Sequence, residues 1–257
     1  MAEWFENFKA DFILNFIEAD RWKALLSGLG VTMKITCGAL VIGIVIGAIL
    51  AMIRSTYDKN EESYKKNGGA SYVIMKLLNA IAKIYLTVIR GTPSVVQLMI
   101  AYFVIFAWSN NGVAIAVFAF GINSGAYVAE IIRGGIMAVD NGQFEAGRSL
   151  GFNYIQTMMY IIIPQVFKSV LPALLNEFIV LIKETSVAGY VGVVDLTKAG
   201  DMIRGRTFSA FMPLIAVALI YLALVLILTK IFEKVERSLR RDERTYHRSQ
   251  KSEEALS

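Results

Sequence analysis

Long uncharged runs alternate with short polar stretches along the chain, and their lengths set the expected architecture. Ile35 to Ile53 is 19 residues without a charge, bounded by Lys34 and Arg54. At about 1.5 Å rise per residue, one helix of that length covers a hydrocarbon core of roughly 30 Å. Gly91 to Ala129 continues uncharged for 39 residues. That is enough for two crossings, with Ser109, Asn110, Asn111 and Gly112 supplying the turn between them. Thr207 to Thr229 adds 23 more. A less apolar stretch follows Pro164; Lys168, Glu177, Lys183 and Glu184 interrupt it, and Pro172 is expected to break its first turns. The pattern predicts five membrane-spanning helices at about 28–54, 77–108, 113–137, 165–185 and 207–232.

The intervening stretches are polar. Ser55 to Ser71 is rich in Lys, Glu, Asn and Gly and reads as a solvated loop, and Thr185 to Arg206 as glycine-rich and irregular. Met1 to Trp22 is too charged to cross a bilayer. Trp4, Phe8, Phe12 and Phe16 recur at helical spacing there, which predicts an interfacial helix over about 3–20. A soluble helix packed on the bundle is the alternative. Gly43 and Gly47 on the first span form a G-x-x-x-G pair suited to close helix contact. The expectation is one all-α integral membrane domain over 1–257, with an interfacial N-terminal helix, a cytoplasmic loop at 140–160 and a polar C-terminal tail at 236–257.

Composition agrees: 56% of residues are hydrophobic and the mean hydropathy is +0.54. The net charge of +5 does not point to nucleic acid, because the basic residues gather at span ends and in the tail, where lipid accounts for them. Placing Arg54–Arg90, the 130–168 region and the tail inside puts 18 of the 26 Lys and Arg on the cytoplasmic side. The excess of basic residues thus predicts an external N-terminus, a cytoplasmic C-terminus and a cytoplasmic central loop. No basic segment followed by an apolar core opens the chain, so no cleavable signal peptide is expected. Cys37 stands alone, which leaves no disulfide framework or metal cluster, and the single histidine, His247, is given no role. There is no G-x-x-x-x-G-K-[ST] phosphate loop, Ser/His/Asp set or paired-His motif, so neither ATP hydrolysis nor other catalysis is expected of this chain.

The central loop carries Gln143, Glu145, Ala146, Gly147, Arg148 and Gly151, then Ile161, Ile163 and Pro164. Phe144, Leu150, Phe152 and Tyr154 are apolar positions that can face a partner or the membrane surface. Glu145 and Arg148, three apart, can pair. Gly151 is placed to end the helix in the left-handed conformation. This stretch resembles the E-A-A-x3-G-x9-I-x-L-P cytoplasmic loop of permease subunits of ATP-binding-cassette importers. It departs twice, with Gly147 for the second alanine and Ile163 for leucine. Gly147 costs roughly 1 kcal/mol of helix propensity, so the helix is expected to lean on its partner for order.

Three further stretches resemble the polar amino-acid branch of that family, the histidine, glutamate, glutamine, arginine and opine type. Arg90, Gly91, Thr92, Pro93 and Gln97 match its R-G-T-P-x3-Q. Tyr127, Ala129, Glu130, Arg133, Gly134 and Gly135 match Y-x-A-E-x-x-R-G-G, and Lys183, Glu184, Thr185 and Ser186 match K-[DE]-T-S. With Thr32, the resemblance covers about residues 20–235. It implies a translocation subunit paired with an identical or homologous permease. Two ATPase subunits would bind ATP and Mg and receive the helix from Gln143 to Gly151, and an extracytoplasmic binding protein would deliver the amino acid. No cofactor is expected in this chain.

A zwitterion needs a cation for its carboxylate and an acceptor for its ammonium. Arg90 is the candidate cation and Glu130 the candidate acceptor. Asn123, Ser124, Thr185 and Ser186 are neutral hydrogen-bonding groups that could line the path. The alternative for each is structural: Arg90 paired with Glu130, and Lys183 with Glu184 or Glu177. An ATP-independent carrier or channel, and a membrane-anchored scaffold, are the competing functions.

Overall fold

A computed structural model describes residues 1–254, with side chains for all but residues 2, 62–64, 67 and 239 onward. The side chains of the tail from 239, His247 among them, therefore lie outside the described residues. The chain opens with α1 (Ala2–Phe12), a π turn (Ile13–Ile17) and a 3-10 turn (Glu18–Asp20). α2 (Arg21–Asn67) and α3 (Ala70–Gly91) follow. α4 (Ser94–Ile100) is prolonged by a π turn (Ala101–Ile105), and α5 is Gly112–Ala138. Two short helices, α6 (Asn141–Ser149) and α7 (Tyr154–Thr157), lead through a π turn (Met158–Ile162) into α8 (Ile163–Glu184). A 3-10 segment (Thr185–Val191), α9 (Leu196–Thr207) and α10 (Phe211–Glu254) complete the order. Among the described residues, five helical stretches are long and apolar enough to cross a membrane.

α2 and α5 share the most extensive interface, and glycines on both helices make it possible. A Cβ at Gly47 would lie 2.5 Å from Val128 Cγ1, and one at Gly43 would lie 2.9 Å from Ser124 Oγ. In return, a Cβ at Gly121 would meet Ile42 at 2.7 Å and one at Gly125 would meet Ile46 at 2.9 Å. The G-x-x-x-G of α2 thus serves contact within the chain, with branched side chains seated over glycine backbone. Ile35, Ala39, Leu98, Ala116, Phe120 and Leu181 continue this contact as the main core cluster.

Four elements differ from expectation. The supposed loop after Arg54 is a helical continuation of α2, ending only at Gly68 and Gly69, both with positive φ. No breaker precedes those glycines, Tyr57 and Ser55 are buried, and Glu61 pairs with Lys65 at 2.9 Å. The segment after Thr185 is likewise ordered: Asp195 caps α9 by accepting from the Thr197 and Lys198 amides, and burial pushes its carboxyl up from its ordinary range. Pro172 does not end α8, which runs through it; in a span, neighbouring helices let such a gap in the ladder persist. The second predicted span is divided. Thr92 and Pro93 are extended, separating α3 from α4, as the steric demand of proline on its predecessor requires.

At the N-terminus, Thr207 donates to Asn15 Oδ1 at 2.8 Å, and Arg21 donates to the Leu14 carbonyl. Phe16 and Leu25 pack with Leu196, Ala199 and Ile203 of α9. Trp4, Phe5, Phe8 and Phe12 of α1 remain exposed, so this helix does not bury its aromatic face against the bundle.

Gly47→Val should destabilise the fold by about 1–3 kcal/mol through overpacking against Val128. Gly30, on the same helix with open space around it, should tolerate alanine or gain up to about 1 kcal/mol. Thermal unfolding of the purified complex in detergent distinguishes the two.

Candidate functional site

The polar loop becomes two capped helices held against the bundle from within. α5 ends at Ala138; Asp140 then caps α6, its carboxylate accepting from the Gly142 amide at 2.6 Å. Phe144 is only 7% exposed and packs with Ile136, Met158, Ile162, Val166 and Val170. Lys59, from the extension of α2, donates to Asn141 at 2.6 Å and lies 4.7 Å from the Phe144 ring centroid. Gly151 ends α6 at φ 78. Its amide donates to Arg148 O, and the Phe152 amide to Gly147 O, closing a Schellman motif. Asn153 and Gln156 form a reciprocal capping box at the start of α7.

This geometry corrects three expectations. Phe144 faces the bundle and not a partner, and Tyr154 is half-buried, while Leu150 is exposed. Glu145 and Arg148 form no ion pair among the described residues; both line a cleft of about 640 Å³ with Asp58, Asn60 and Glu61. Gly147 is buried, and a Cβ there would lie 2.6 Å from both Thr157 Cγ2 and Oγ1. The departure from alanine therefore lets α6 approach α7, and α6 draws its order from this chain. Gln143, Glu145, Ala146, Arg148 and Leu150 point outward as one exposed face.

Within the spans the six candidate residues fall into separate places. Arg90 and Glu130 both line a cleft of about 450 Å³ together with Arg54, Lys83 and Thr87. They do not pair: Glu130 accepts from Arg54 at 2.5 Å and lies 3.6 Å from Arg133, which in turn reaches Asp58 at 3.1 Å. Arg90 instead lies over the Tyr127 ring, 5.6 Å from its centroid. Asn123 and Ser124 are buried in α5. Asn123 donates to Gln97 at 2.9 Å, and Ser124 donates to Glu177 at 2.8 Å. Thr185 is buried and donates to Ile182 O, which leaves half-buried Ser186 as the neutral group beside it. Lys183 forms no ion pair with Glu177 or Glu184 among the described residues.

Several residues that the structure brings into these polar contacts were given no site role by the sequence reading. Glu177 is a carboxylate only 8% exposed inside a membrane-spanning helix; its position within an apolar run was the available signal. Arg54 and Asp58 read as a span boundary and a loop, because their ties to Glu130 and Arg133 cross more than seventy residues. Gln97 stood in a motif without a role.

Residues 68–241 match the family described as binding-protein-dependent transport system inner membrane component. The arginine transport system permease protein ArtQ of Bacillus subtilis is 38% identical over 220 residues, covering 84% of this chain and 92% of that one. The glutamine transport system permease protein GlnP of Escherichia coli K12 is 35% identical, covering 84% and 93%. A crystal structure of an amino acid ABC transporter with histidines superposes with a TM-score of 0.72 at 39% identity, over 84% of this chain and 94% of that one. The MetNI methionine ABC transporter shares the fold, with a TM-score of 0.70 at 17% identity over 86% and 99%.

Gly147→Ala should lower the unfolding midpoint and raise trypsin cleavage at Arg148, because a clash worth about 1–3 kcal/mol outweighs roughly 1 kcal/mol of helix propensity. Adding Thr157→Ala should restore both readings towards the parent chain.

Proposed function

The chain belongs to the family of binding-protein-dependent transport system inner membrane components, and from that membership we propose how its parts divide the work of an importer. It is the membrane-spanning subunit of an ATP-driven amino-acid importer, a multi-pass protein of the inner membrane. Two ATPase subunits, carrying ATP and Mg, dock on the central loops of this chain and of a second, identical or homologous permease. An extracytoplasmic binding protein delivers the amino acid. The N-terminus faces outward with α1 in the lipid interface, and the central loop and C-terminus face the cytoplasm.

One observation carries this division of labour. The outward face of α6, with Gln143, Glu145, Ala146 and Arg148, is exposed, while Phe144 and Gly147 fix its other side to the bundle. Only a two-residue turn, Val139 and Asp140, separates it from α5. A pull on α6 is therefore a pull on α5. When the ATPase dimer closes, the two loops approach and the spans turn as rigid bodies to alternate access.

The substrate meets groups suited to a zwitterion. Arg90 lies in an open cleft with no carboxylate partner among the described residues and receives the substrate carboxylate. Glu130 is already shared by Arg54 and Arg133, so its part is to keep that cleft in shape. Glu177 lacks a cation partner among the described residues and accepts the ammonium, with Ser124 orienting it. Asn123, Thr185 and Ser186 line the route.

Co-purification with the tagged chain should recover an ATPase subunit and a retained amino acid; recovery of the chain alone, from active membranes, counts against the assembly. Glu145→Lys with Gly151→Asp should leave insertion intact and abolish ATP-driven uptake. Arg90→Ala and Glu177→Gln should each cut uptake at least tenfold, about 1.4 kcal/mol of binding or barrier, with the complex still assembled. Uptake at the parent rate in either single variant removes that residue from the route.

A further inference from the structure

The break between α3 and α4 creates a specific vacancy in the backbone ladder. The Ile89 carbonyl would meet the amide four residues on, but that residue is Pro93, which has no N–H. Gln97 fills the vacancy from the next turn. Its Nε2 donates to Ile89 O at 2.7 Å, to Thr92 Oγ1 at 2.8 Å and to Thr92 O at 3.1 Å. Its Oε1 accepts from Asn123 Nδ2 at 2.9 Å. Asn123 sits in the buried middle of α5. A single amide group therefore fastens the end of α3, the start of α4 and the interior of α5 to one another.

Satisfying the Ile89 carbonyl alone does not need such a reach. Short hydroxyl side chains serve freed carbonyls in spans, and Thr92 does this locally by donating to Val88 O at 2.8 Å. What Gln97 adds is the bond to a second span. α5 is the helix that continues into α6, and Arg90 sits at the last turn of α3, seven residues before Gln97. The amide lies between the element that receives force and the element that bears the cationic group. Elsewhere α3 meets α5 through Leu86 against Ala126 and Ala129, and through Tyr85 donating to Ile122 O. The Tyr85 bond already ties α3 to α5 before the break. What the Gln97–Asn123 pair adds is to hold the start of α4, beyond the break, to the same register of α5.

We propose that Gln97 is a positioning residue for translocation: through Asn123 it locks the Thr92–Pro93 break to α5, so that motion imposed on α6 carries the Arg90 end of α3 and all of α4 as one body. This rests on the importer reading above, and Gln97 itself touches no substrate.

The test uses the complete complex with its ATPase and binding protein. Gln97→Met should preserve assembly and basal ATP turnover while cutting uptake at least tenfold and abolishing the stimulation of ATP turnover by loaded binding protein. Pro93→Ala returns an N–H to the Ile89 carbonyl, so Gln97→Met with Pro93→Ala should recover thermal stability without recovering uptake. Restored uptake in that double variant, or parent-level uptake in Gln97→Met, overturns the proposal and reduces Gln97 to a carbonyl partner. A second measurement needs no Gln97 variant. Spin labels at exposed Met99 of α4 and Phe118 of α5 should keep the same separation in nucleotide-free and ATP-bound complexes of the otherwise unaltered chain. A separation that changes between those states overturns the proposal. An unaltered complex without ATP-driven uptake would instead overturn the importer reading.

Discussion

Where α2 crosses α5, glycine backbone on each helix is covered by branched side chains from the other, and the polar chemistry of the molecule is arranged around that contact. Lipid offers no hydrophobic gain for joining two apolar helices, so association must come from close van der Waals fit and from polar bonds between spans. Gly43, Gly47, Gly121 and Gly125 provide the fit. Further along the same seam, Arg54 and Asp58 of α2 reach Glu130 and Arg133 of α5. Such pairs hold only if both helices keep one register, and the glycines enforce it.

A rigid α2–α5 pair gives the flanking parts something to be fixed to or moved against. α6 follows α5 after a two-residue turn and is clamped to the extension of α2 by Lys59. α4 is bound to α5 through Gln97 and Asn123. The elements around α9 use the same device in a milder form: the Leu196 amide donates to Thr32 of α2, and Asn15 is tied to Thr207. Buried polar groups here rarely stand idle. Asn15, Thr32, Asn123, Ser124 and Glu177 are joined to a partner on another element, while Thr36, Ser55 and Thr185 bond back to carbonyls one turn earlier. The bonds between helices give a membrane bundle specificity that apolar packing alone does not provide.

Two irregularities make sense in this setting. The Thr92–Pro93 break occurs beside a cleft lined by charged side chains, the kind of place where non-helical backbone at membrane depth is tolerated. Gly147 departs from the loop pattern of the family, and the structure supplies the reason in the contact with Thr157. A local loss of helix propensity is offset by closer approach between α6 and α7.

The sequence by itself determined the helical membrane class, the five apolar stretches, the Gly151 stop and the family, because these depend on run length, local backbone preference and motif spacing. It also marked Arg90, Glu130, Asn123 and Ser124 as unusual, since polar side chains in apolar runs stand out without any contact map. Only the tertiary structure decided their partners. Glu130 binds Arg54 and not Arg90, Ser124 binds Glu177, and Phe144 turns inward, because these pairings join residues far apart in the chain. The extension of α2 beyond Arg54 and the capped α9 were hidden for a related reason. A polar composition reads as loop until tertiary contacts, such as buried Tyr57 and the Asp58–Arg133 pair, supply what a short solvated helix lacks alone.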